Sequence, residues 1–109
     1  MSNDEFFKKE VRKSILKIRD GYRPEKIFIF GSFASDKIGP DSDVDFFIIK
    51  KTLKSRLERQ REVSRLLIDR QVPIDILVYT PAEVEKRKKL GDSFILNIIN
   101  SGKLVYAKK

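Results

Sequence analysis

Phe7, Val11, Ile15 and Ile18 recur three or four positions apart, with charged residues filling the gaps. That period predicts an amphipathic helix from Ser2 to Asp20. Ser2-Asn3-Asp4-Glu5 reads as its capping box, and Gly21 as its left-handed stop. The pattern then shortens. Ile27-Phe28-Ile29-Phe30 is a compact apolar run between Lys26 and Gly31, which predicts a buried strand. Residues 32–36 read as a short helical turn, and Gly39-Pro40-Asp41 as a loop. A second strand is expected from Asp43 to Ile49, acidic at one end and apolar at the other. A long helix is expected from about Thr52 to about Arg70, with Leu53, Leu57, Leu67 and Ile68 on one face, Val63 at its edge, and a basic outer face. From Pro73 to Tyr79 the alternation has period two. Ile74, Ile76 and Val78 share one side of that strand, Asp75 and Leu77 the other. Thr80-Pro81-Ala82-Glu83 starts another helix, residues 93–100 form a short apolar one, and Lys103 to Tyr106 adds an edge strand. The expected fold is α/β (α+β), a small mixed β-sheet covered by helices.

At 109 residues the chain fits one domain, 1–109, and its 40% hydrophobic content supports a core. It contains no cysteine and no histidine. Disulfides, thiolate metal sites and a Ser-His-Asp triad are therefore excluded. Any metal would be held by oxygen, which favours Mg²⁺, or Mn²⁺, over zinc. The polar start Met1-Ser2-Asn3-Asp4-Glu5 is unlike a signal peptide, and no apolar run approaches the ~20 residues that span a bilayer. The expectation is a cytoplasmic protein with no membrane contact. The net charge of +8 fits either a well-solvated surface or attraction to anions such as nucleotides, nucleic acid or an acidic partner.

The acidic positions change the picture most. Asp43 and Asp45 are two apart, so on a strand they point to one side. Asp75 opens another strand and could face the same space. Asp-x-Asp beside a loop is often turn chemistry, but an aspartate between Ile74 and Ile76 is harder to explain that way. Three gathered carboxylates repel: an ionised pair at ~4 Å costs about 4 kcal/mol at an effective dielectric near 20. A raised pKa or hard divalent cations would relieve that. Two cations could orient a triphosphate and activate a hydroxyl. Upstream, Gly31 lets an anion approach the backbone, and the Ser32 hydroxyl can add a hydrogen bond.

Phe30-Gly31-Ser32, then Ser42-Asp43-Val44-Asp45-Phe46, then Ile74-Asp75-Ile76 resemble the signature of the minimal nucleotidyltransferases of the DNA polymerase β-like superfamily. The resemblance covers about residues 20–107. It implies the polymerase β-like fold, with Mg²⁺ on Asp43 and Asp45 and Asp75 completing the metal site. Gly31 and Ser32 would hold the triphosphate of ATP or another NTP. Members transfer a nucleoside monophosphate to a hydroxyl and release pyrophosphate. Many small ones are antitoxins that silence a HEPN-domain ribonuclease toxin by adenylylating a tyrosine. The implied partners are thus a nucleotide and such a toxin, with self-association open. The chain departs from the family's Gly-Ser-x-Ala-Arg-Gly at Ser35, where the arginine is missing, and Asp36 follows. That departure leaves a second reading, a module that neutralises its partner by binding alone. A third is a nucleic-acid-binding protein using the basic helix.

Overall fold

A computed structural model describes residues 3–31 and 44–109. In chain order the elements are α1 (Asn3–Tyr22), β1 (Lys26–Phe30), β2 (Val44–Ile49), α2 (Arg56–Leu66), β3 (Ile74–Tyr79), α3 (Pro81–Lys89), α4 (Ser93–Ser101) and β4 (Lys103–Ala107). The sheet order is β3-β2-β1-β4. β1 is antiparallel to both neighbours, while β2 and β3 run parallel, joined through α2. This is the mixed, helix-covered sheet that the alternating pattern predicts.

The strands alternate, so each side of the sheet builds its own core. On one side Ile27, Ile29, Val44, Phe46, Ile48, Ile74 and Val78 pack against Phe7, Val11 and Ile18 of α1 and Val63 of α2. On the other, Phe28, Phe47, Ile49 and Tyr79 pack against Val84 of α3 and Ile95 and Ile98 of α4. Both faces of the central strands are covered, which is why β1 and β2 read as continuous apolar runs.

Three local expectations are corrected. Gly21 does not stop α1: the helix continues through Tyr22, and the left-handed residue is Arg23, at φ 53°. A Cβ on Gly21 would lie 2.6 Å from Leu66 Cδ2, so the missing side chain serves the close approach of α1 and α2. The first helix's carbonyl end is capped from elsewhere. Lys50 Nζ donates to Tyr22 O at 2.8 Å and to Arg23 O at 3.1 Å, above the Tyr22 ring.

The second helix is shorter than its charge pattern implies. Ser55 caps it, its Oγ accepting from Glu58 N at 3.3 Å, so Leu53 precedes the helix and Ile68 follows it. Leu53, Leu57 and Ile68 are exposed; the buried stripe is Arg59, Val63 and Leu67. An arginine was thus hidden in what the sequence presents as a charged outer face.

Asp75 is the third difference. It is exposed rather than buried, because β3 is the outermost strand. The expected capping box at Ser2 and the turn over residues 32–36 lie outside the described residues.

Candidate active site

The sheet register decides which acidic side chains can meet. Asp45 pairs with Asp75 across the parallel β2–β3 ladder, and with Phe30 across the antiparallel β1–β2 ladder. Register partners on adjacent strands share a face and stand about 4.8 Å apart at the backbone. Asp75, Asp45 and Phe30 therefore form a row across three strands, on the side covered by α3 and α4.

The row opens into a cleft of about 540 Å³, lined also by Gln60 and Ser64 of α2, Ile74, Ile76 and Leu77 of β3, and Phe94 of α4. A larger hollow of about 620 Å³ lies between α1 and β4, over the other side of the sheet. Its described lining, from Val11 and Ile15 to Leu104, holds no carboxylate, whereas the smaller cleft holds the Asp45–Asp75 pair.

Gly31 follows β1 directly at φ +83°, a backbone conformation that L side chains rarely adopt. A Cβ there would stand 2.5 Å from Asp45 Oδ2. Glycine lets the chain pass against the carboxylate without a side chain in the way. Ser32 and Asp43 lie outside the described residues. The structure thus brings together Gly31, Asp45 and Asp75 of the five residues singled out in the sequence.

Two cleft features were not legible beforehand. β3 is an edge strand, and Val44 N–H bonded to Pro73 O, with Lys50 N–H bonded to Tyr79 O, turns its odd-numbered backbone groups inward. Its even-numbered carbonyls face out, and α2 covers two of them. Gln60 Nε2 donates to Ile76 O at 2.7 Å and Arg59 Nη1 to Val78 O at 3.2 Å. The same Arg59 nitrogen reaches Glu83 Oε1 at 2.8 Å. The second feature is aromatic. Phe94 stands edge-to-face with Phe30, ring centres 5.7 Å apart and planes at 86°. Its helix turn is fixed by Asp92, whose Oδ1 accepts from Phe94 N at 3.0 Å and Ile95 N at 3.2 Å. A lone Phe in an apolar helix carries no sequence signal that separates it from core residues such as Ile95.

The donor chemistry fits a hard cation. Two carboxylates at ~5 Å repel by about 1–3 kcal/mol between water-like and protein-like screening if both are ionised. Oxygen-loving divalent ions are what such a pair accepts. Among the described residues no group of three acidic side chains gathers around one point.

A sequence profile described as "Polymerase beta, Nucleotidyltransferase" matches residues 13–109. The chain belongs to the polymerase β nucleotidyltransferase family. Solved structures share the fold of this nucleotidyltransferase. A crystal structure of a proposed nucleotidyltransferase from Sulfolobus solfataricus superposes with a TM-score of 0.64 at 19% identity, covering 92% of this chain and 79% of the other. A chain of a toxin–antitoxin crystallised with AMP-PNP also scores 0.64, at 16% identity, covering 90% and 73%. A toxin–antitoxin MntA-HpeT structure carrying two Asp-to-Glu changes, two positions apart, scores 0.62 at 14% identity, covering 90% and 73%. No curated protein matches the sequence. Among the described residues no helix is long and apolar enough to cross a membrane.

Proposed function

We propose that this nucleotidyltransferase is a Mg²⁺-dependent enzyme that moves a nucleoside monophosphate, AMP from ATP, onto a hydroxyl of a partner protein. The observation that carries the reading is the register pairing of Asp45 with Asp75, beside a glycine whose backbone runs against the Asp45 carboxylate. Asp45, with Asp43 two residues before it, would hold the metal, and Asp75 would complete the site. Mg²⁺ bound there would neutralise triphosphate charge and polarise the α-phosphate. Gly31 and Ser32 would offer the triphosphate a close backbone and a hydroxyl donor. The acceptor oxygen attacks the α-phosphorus, the bond to the bridging β-oxygen breaks, and pyrophosphate leaves. Asp75, exposed on the outermost strand, would take the acceptor's proton.

The acceptor is read as a cytoplasmic HEPN-domain toxin, and the whole of 1–109 as one domain. Support comes from the toxin–antitoxin complexes that share the fold, one with AMP-PNP and one altered at two aspartates with the spacing of Asp43 and Asp45. The test supplies ATP, Mg²⁺ and the candidate toxin, and looks for a nucleotide-sized mass increase on the toxin. Asp45→Asn and Asp75→Asn should each abolish it, by at least about 100-fold. Unchanged modification by both variants would falsify the site. Neutralisation of the toxin without any mass increase, undiminished in Asp45→Asn, would favour the binding-only reading that Ser35 raises.

A further inference from the structure

We propose that Phe94 is the platform on which the nucleobase stacks, a contact that rests on the nucleotidyltransferase reading above. α4 sends Ile95 and Ile98 into the core, yet Phe94, in its first turn, leaves 47% of its surface exposed. That surface lies in the cleft that holds Asp45 and Asp75. The ring packs on Phe30 and leaves the rest of its surface open in the cleft that also holds the two carboxylates. Asp92 caps the turn that carries it, and the Phe30 ring packs against it edge-to-face.

Position supports the same role. Phe30 is the register partner of Asp45, so the sequence of groups across the site is Asp75, Asp45, Phe30, then Phe94. A nucleotide with its phosphates at Asp45 and Gly31 would have the Phe94 ring in the same cleft, just beyond Phe30. Along the β3 edge the Ile76 carbonyl is taken by Gln60, and the aromatic rings among the described residues that line the cleft are Phe30 and Phe94. Phe94 offers a π-face to any base, which makes it a source of affinity rather than of base choice.

Titration calorimetry in Mg²⁺ separates the base contact from the phosphate contact. ATP and inorganic tripolyphosphate are each titrated into the native protein and into Phe94→Ala, Phe94→Leu and Phe94→Tyr. The leucine variant keeps apolar bulk against Phe30, so loss of folding cannot imitate loss of stacking. ATP should bind about 10- to 100-fold more weakly to the alanine and leucine variants and near normally to the tyrosine variant. Tripolyphosphate should bind all four proteins alike. The proposal is overturned if native protein prefers ATP to tripolyphosphate by no more than Phe94→Leu does, or if both ligands weaken together. Native protein that binds neither ligand overturns the nucleotidyltransferase reading itself.

Discussion

Gly31 and Tyr22 show how much depends on single atoms. Gly31 combines a positive φ with a missing Cβ beside Asp45 Oδ2. Gly31→Ala therefore meets both backbone strain and a displaced carboxylate. Chemical denaturation should show a loss of about 1–2 kcal/mol, and Mg²⁺-dependent ATP binding should fall further than that loss of stability explains. Tyr22 is buried, and its hydroxyl has no hydrogen-bond partner among the described residues. Burial, helped by the charge of Glu62, pushes its pKa up to about 12, from an ordinary 10.0. The raised value means that the folded state favours the protonated phenol. Its contribution is fully present below pH 10 and is lost as pH rises towards 12. Tyr22→Phe removes an unsatisfied hydroxyl, so we expect a gain of up to about 1 kcal/mol at neutral pH and a flatter alkaline limb in urea melts taken at stepped pH.

At the scale of elements, the junction of α2, β3 and α3 is held by one buried arginine. Arg59 donates to Lys54 O at 2.8 Å, to Val78 O and to Glu83, while Glu83 Oε1 also caps α3 through Thr80 N at 2.7 Å. Burial alone would raise the Glu83 pKa. The Thr80 N–H and the Arg59 guanidinium outweigh it and hold the carboxyl below its ordinary 4.5. A depressed pKa contributes stability above the ordinary value and loses it as pH falls through the folded one. Arg59→Ala should cost about 2–3 kcal/mol by urea unfolding, since it takes a donor from two carbonyls and a carboxylate together. Glu83→Gln should flatten the acid limb below pH 4.5. The helix start at Thr80-Pro81-Ala82-Glu83 was readable from the chain, but the arginine that joins it to α2 and β3 was not. Strand positions were legible because β-periodicity is local, and Ile74, Ile76 and Val78 fell on one side as the alternation requires. Arg59 was not legible because its partners are 5, 19 and 24 residues away. Gly21 misled for the same reason: its meaning depends on Leu66, on another helix. In the site, residue types and spacing pointed to Gly31, Asp45 and Asp75. Their meeting depends on β3 lying next to β2, which spacing alone does not encode, and Phe94 depends on a tertiary contact with Phe30.

For the molecule as a whole, the carboxylate pair sets function against stability. Asp75 and Asp45 share a face on adjacent strands, so where both are ionised their repulsion would work against the folded sheet in metal-free protein. Asp75→Asn should raise the stability of metal-free protein by about 1 kcal/mol. Calorimetric melts with and without Mg²⁺ check this. Native protein should gain thermal stability from the metal and the variant should not, while a variant less stable than native protein without metal would refute the repulsion argument. The net charge of +8 sharpens the contrast. An overall cationic protein would draw anionic nucleotides towards it, while under the proposed function its acidic cleft would accept them through a cation.

The covering of β3 by Gln60 and Arg59 has a consequence for self-assembly. A sheet grows from copy to copy only if each molecule presents two receptive borders, one to join and one to be joined. Here one border is occupied by the molecule's own helix. β4 is the border left, and it carries a register shift against β1 between Ile27 and Phe28. Two copies meeting border to border through β4 would leave only their guarded sides outward. Strand-to-strand association of this fold would then close at a pair instead of propagating into a ribbon.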